Sequence, residues 1–128
     1  MSNPLLSRFL FVYGTLRFSQ NTGMSKWLQS TGTHCVSTTA TTAGEVKNLG
    51  SFPGAKFYND SVYDKTMPLI TGELLVMPDD EKARAAIMER LDYYEGVASG
   101  MYKRVIVDVK IPGHDFSIET FAYEYMNY

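Results

Sequence analysis

Phe9-Leu10-Phe11-Val12 is a short unbroken apolar run, and Leu10–Tyr13, stopped by Gly14, predicts a buried strand. Thr33–Thr42 is rich in threonine and predicts extended chain. Further strands are predicted at Ala55–Tyr58 and at Leu69–Met77, the second interrupted by Gly72. Val105, Val107 and Val109 alternate with Ile106, Asp108 and Lys110, the period of a strand with two unlike faces. A turn at Pro112-Gly113 then joins it to Ser117–Tyr125 as an antiparallel hairpin. One stretch has convincing helical spacing: Ala83, Ala86, Ile87, Leu91 and Tyr94 form one apolar face. Pro78-Asp79-Asp80-Glu81 starts it, with Asp79 expected to cap and the acidic first turn matching the positive dipole end. Gly96 is the expected left-handed stop. Met24–Gln29 predicts one or two further helical turns carrying Trp27 and Leu28, and Asn48–Gly54 reads as loop.

Many strands and one main helix predict an α+β fold, a small mixed, barrel-like β-sheet in a single domain over residues 1–128. A chain of 128 residues can bury about two thirds of its unfolded surface, so it needs no staples. With 45% hydrophobic and 20% charged residues it belongs with globular rather than disordered chains. A net charge of −2, a pI near 5.6 and the lack of a Lys/Arg block argue against nucleic-acid binding. The run Phe9–Val12 is too short to span a membrane and lacks the flanks of a signal peptide, so no membrane association is expected. Cys35 is the single cysteine, which precludes an internal disulfide and fits a reducing, cytoplasmic compartment. No ligand spacing links His34 and Cys35 to His114, so no metal is expected.

Four places offer chemistry. Tyr13-Gly14-Thr15-Leu16-Arg17 follows a strand directly; its successive N–H groups either form an anion-binding nest or simply end the strand in a turn. Arg17 reads as solvated. Gly72 inside a strand marks a bulge or a close backbone approach, and Glu73 beside it faces solvent or lines a cavity mouth. Asp92 and Glu95 share a helix face, where like charges repel, and Lys103 or Arg104 is placed to neutralise one of them. Glu95 also stands at the negative end of the helix dipole, which disfavours an exposed carboxylate by roughly 0.3–1 kcal/mol and makes it hold a proton more tightly. Tyr102 reads as packing, while Tyr123, Tyr125 and Tyr128 form a terminal stripe in which one hydroxyl is available to a ligand.

Phe11-Val12-Tyr13-Gly14-Thr15-Leu16, Gly72-Glu73-Leu74, Leu91-Asp92-Tyr93-Tyr94-Glu95-Gly96 and Tyr102-Lys103-Arg104 together resemble the γ-glutamylcyclotransferase-like family, nearest to its γ-glutamylamine cyclotransferase and AIG2-like branch. The order and spacing match from about Phe9 to Tyr125, while Thr31–Lys65 carries little of the pattern. The resemblance implies a small sheet closed towards a barrel with a cavity at its mouth. It implies that the N–H groups of Gly14, Thr15 and Leu16 bind a substrate α-carboxylate, with Tyr13 shaping the pocket and Tyr123 lining it. It implies Glu95 as the catalytic acid/base.

The implied reaction needs no metal or cofactor. A γ-glutamyl amide carries its own nucleophile, and folding the α-amine back on the γ-carbonyl closes 5-oxoproline and expels an amine. Holding that conformer is a proximity effect worth up to about 7–11 kcal/mol, and one carboxylate moving the proton contributes ~10²–10⁴-fold. The expected function is therefore release of 5-oxoproline from a γ-glutamyl amine or amino acid. The rivals are a small-carboxylate binding module on the same fold and an assembly protein using the tyrosine stripe.

Overall fold

The computed structural model describes residues 8–50, 53–58 and 67–127. Six strands, β1 (Phe9–Val12), β2 (His34–Asn48), β3 (Pro53–Phe57), β4 (Leu69–Val76), β5 (Tyr102–Lys110) and β6 (Ser117–Tyr125), lie in the order β3-β2-β4-β1-β6-β5. A further pairing of β2 with β5, Thr41 opposite Lys110, closes five of them into a barrel, with β3 as an extra strand on β2. The expected barrel-like α+β fold is thus present. All pairings are antiparallel except β1 with β6, where Leu10 meets Phe121. Two helices, α1 (Gly23–Ser30) and α2 (Glu81–Tyr94), pack on the outside, and a 3₁₀ turn covers Phe18–Gln20.

Alternation along each strand builds two cores. Phe11, Leu74, Val107, Val109 and Ala122 fill the barrel. Leu10, Val12 and Leu75 point the other way, onto Leu28 of α1 and Ile87, Met88 and Leu91 of α2. The outer face of the barrel is therefore apolar where the helices cover it, which is why β1 reads as an unbroken apolar run rather than an alternating one.

Several boundaries differ from the sequence reading. Asp80, not Asp79, caps α2, its carboxylate accepting the Ala83 N–H at 3.1 Å. The buried face of α2 is Arg84, Ile87, Met88 and Leu91; Ala86 and Tyr94 are exposed. Arg84 is tolerated there because its guanidinium turns back to the Pro78 and Asp79 carbonyls, satisfying its donors. The loop expected over Asn48–Gly54 is shorter, because β2 runs to Asn48 and pairs with Pro53, the first residue of β3. Proline is admissible at a strand's first position, where its missing N–H costs nothing. Residues 51–52, 59–66 and 128, including Tyr128 of the terminal stripe, lie outside the described residues.

Gly96 ends α2 with φ of 70°, as expected from its position. Gly72 marks a close approach: a Cβ there would collide with the Val12 carbonyl and meet the Phe11 ring at 2.8 Å. Gly72→Ala should therefore destabilise the barrel by about 2–4 kcal/mol in urea unfolding, because backbone must move to admit it.

Candidate active site

The chain leaves β1 at Val12 and turns through Tyr13–Arg17 before α1. Glu73 fixes this turn. It sits in β4, only 2% exposed, and its carboxylate accepts the N–H groups of Phe18 at 2.5 Å and Ser19 at 3.3 Å. It faces neither solvent nor a cavity mouth, contrary to both sequence readings; it is a buried clamp on the loop. The Thr22 hydroxyl, which also caps α1, donates to the Thr15 carbonyl at 2.7 Å. Arg17 is not simply solvated, since its Nε donates to the Gly14 carbonyl at 3.2 Å. Gly14 has no positive φ; the residue type is dictated by space, because a Cβ would come within 2.9 Å of the Pro53 ring. With the loop held this way, no described residue accepts the N–H of Gly14, Thr15 or Leu16. Three adjacent donors stand uncommitted, the arrangement that suits an anion.

Glu95 is the C-cap residue of α2, its own N–H bonded to the Leu91 carbonyl at 2.8 Å. Its side chain lines a cavity of about 250 Å³ together with Gly14, Thr15, Leu16, Tyr13 and Tyr123. Glu95 and the loop residues Gly14–Leu16 thus border one hollow, of a size for a single compact molecule. Phe11, Val12, Pro53, Tyr94, Met101 and Tyr102 complete the lining.

The two carboxylates of the α2 end have opposite fates. Asp92 accepts the Tyr123 hydroxyl at 2.7 Å and pairs with Arg104 at 3.5 Å, so of the two candidate cations Arg104 is the one that neutralises it. Arg104 is itself stacked 5.1 Å from the Phe121 ring centre. Among the described residues no side chain bonds or ion-pairs with Glu95. Burial alone pushes its carboxyl up to about 7. The sequence reading expected the helix dipole to make this carboxyl hold its proton more tightly; the direction agrees, and the cause is desolvation.

The surrounding phenols are kept neutral by the same burial. Burial carries the hydroxyls of Tyr13 and Tyr123 well above the ordinary tyrosine range, helped in Tyr123 by its bond to Asp92. Burial and then the nearby Glu95 push Tyr102 up to about 12. Tyr13 donates to the Tyr123 carbonyl at 2.6 Å and Tyr102 to the Pro53 carbonyl at 2.7 Å. Tyr123 spends its hydroxyl on Asp92, so it offers the cavity its ring rather than a donor.

Tyr102, Tyr94, Met101 and Pro53 are pocket residues that sequence reasoning missed. The alternation of β5 would place Tyr102 on the solvent side with Ile106. Register puts it opposite Tyr125, on a stretch of outer face where both rings meet at 5.5 Å between centres. The Tyr-x-Tyr spacing of Tyr123 and Tyr125 was the available sign that this face is covered. Among the described residues no group of three or more His, Cys, Asp or Glu side chains could hold a metal ion, and no helix is long and apolar enough to cross a membrane.

Residues 10–128 match the model of the family described as Gamma-glutamyl cyclotransferase, AIG2-like, and the chain belongs to that family. Its fold is similar to that of YkqA from Bacillus subtilis, with a TM-score of 0.62 and 24% identity over 94% of this chain. The matched part is 36% of YkqA, so this chain spans little more than a third of that protein. It is also similar to an AIG2-like protein from Mus musculus (TM-score 0.57, 22% identity, 94% of this chain and 78% of that one). A structure of a γ-glutamyl cyclotransferase matches with TM-score 0.57 and 16% identity, over 92% of this chain and 66% of that one. At these identities the solved structures bear on the fold alone. No curated protein matches the sequence.

A carboxyl whose folded pKa lies above its unfolded value penalises the native state at high pH. The penalty is absent below about pH 4, grows as pH rises, and is complete above the folded value near 7. Glu95→Gln should therefore be more stable than the parent by about 1–3 kcal/mol at pH 8 and no different near pH 4, read by denaturant titration at both values.

Proposed function

We propose that this chain is a cyclotransferase that converts a γ-glutamyl amine or γ-glutamyl amino acid to 5-oxoproline and the free amine, with Glu95 as the proton carrier. The observation that carries this reading is the single hollow bordered on one side by three uncommitted amides and on the other by an unpartnered carboxyl poised near neutrality.

In this reading the α-carboxylate of the substrate rests on the N–H groups of Gly14, Thr15 and Leu16. The rings of Tyr13 and Tyr123 confine the chain between them so that it folds. The ionised Glu95 takes a proton from the α-ammonium, and the freed amine attacks the γ-carbonyl carbon. A nitrogen–carbon bond closes the five-membered lactam as the γ-amide bond breaks. Glu95 returns its proton to the leaving nitrogen and then takes the second proton that the attacking nitrogen must shed, passing it to the amine as this departs as an ammonium, so no water or second substrate is consumed. A carboxyl near 7 suits both halves, because it is basic enough to accept the first proton and acidic enough to give it up. The single cysteine agrees with a cytoplasmic setting, which we include in the proposal.

A panel of γ-glutamyl amines and dipeptides, assayed for 5-oxoproline by mass spectrometry, tests the proposal. Product is expected from the parent, with a loss of at least 10²-fold in Glu95→Gln. Ligand binding without product would point to a carboxylate-binding module instead. The base must be ionised to begin the reaction, so kcat/KM should fall about tenfold per pH unit below roughly pH 7. A profile flat from pH 5 to 8 would remove Glu95 from the proton path.

A further inference from the structure

Thr15 and Tyr94 stand on opposite walls of the cavity, one on the loop after β1 and the other on the last turn of α2, next to Glu95. Their hydroxyl oxygens meet at 3.2 Å across the exposed side of the site. Both residues are anchored from behind. The Thr15 carbonyl is held by Thr22, and the end of α2 is held by the Glu95 N–H on the Leu91 carbonyl. Among the described residues no other hydrogen bond joins Gly14–Arg17 to Leu91–Gly96. Each anchor holds its own wall and not the other, so the hydroxyl contact limits how far the two can part.

The geometry points to a latch: Thr15 and Tyr94 are positioning residues whose hydroxyl contact sets the wall spacing to the folded conformer of the substrate. This rests on the cyclotransferase reading. A γ-glutamyl chain reacts only when bent, with its α-nitrogen against its own γ-carbonyl. Walls free to part accept the extended chain as readily as the bent one, so substrate still binds but binds unproductively. Loss of the latch should therefore lower kcat without raising KM, because the extended and bent forms share the same carboxylate anchor. An exposed hydroxyl pair contributes little to folding, so stability should hardly move.

The test uses Tyr94→Phe, Thr15→Val, the pair combined, and Thr15→Ser, which keeps the hydroxyl. Each single removal should lower kcat about tenfold with KM unchanged or lower, within the range known for small misplacements of reacting groups. The double variant should lose no more than either single one, Thr15→Ser should recover the parent rate within about twofold, and Tm should stay put. A second readout needs no turnover. In the Glu95→Gln background, calorimetry compares 5-oxoproline, a compact ring like the bent chain, with γ-glutamylmethylamide, a flexible chain. Tyr94→Phe should shift the affinity ratio about tenfold towards the flexible ligand. Additive losses, a raised KM at constant kcat, or an unmoved affinity ratio would overturn the latch. A shifted ratio in a protein that makes no 5-oxoproline would support the latch and defeat the cyclotransferase reading.

Discussion

The site depends on one buried carboxylate that takes no part in the proposed chemistry. Glu73, almost wholly enclosed within β4, receives the N–H groups of Phe18 and Ser19. A carboxyl group so placed is tolerated because hydrogen bonds replace its lost hydration. Its two bonds tie the segment after Tyr13 to the barrel wall, while the N–H groups of Gly14, Thr15 and Leu16, which line the cavity, have no acceptor among the described residues. Remove the clamp and the loop loses this tie to β4, whatever happens at Glu95.

Acidic side chains are thus sorted by how fully each is compensated. Glu73 is satisfied by backbone, Glu124 accepts the Phe57 N–H and steadies β3, and Asp92 is taken up by Tyr123 and Arg104. Glu95 alone of these four has no hydrogen-bonding or ion-pairing side chain among the described residues, and burial pushes its carboxyl up to about 7. In the proposed reaction Glu95 is made reactive by withholding partners, in a protein that supplies them to its other enclosed carboxylates.

The strands and the main helix were legible because each carries its period openly. The β5–β6 hairpin, for instance, shows valines at every second place around a Pro-Gly turn, and Ser117–Tyr125 matches its predicted range. The juxtaposition of Gly14–Leu16 with Glu95 was available only through the family pattern, because no local rule brings residues some 80 positions apart together. What stayed hidden was long-range. Tyr102 is pocket lining beside Pro53, whose carbonyl holds its hydroxyl, and Glu73 is a clamp because the loop folds over β4. At Gly14 the residue type is set by crowding against Pro53 rather than by the backbone conformation the sequence suggested. In each case the deciding neighbour lies far off in the chain, out of reach of propensity or spacing.

The parallel pairing of Leu10 with Phe121 has a consequence for biosynthesis. The strand that opens the barrel can be flanked on both sides only after Ser117–Tyr125 has been made, which brings Tyr123 and closes the hollow. While the ribosome is still translating, Phe9–Val12 is left with one unpaired, apolar edge, the kind of surface that invites association with other unfinished chains. Closure of the barrel and completion of the hollow therefore come together, and holding-type chaperones have their natural target in the interval before them.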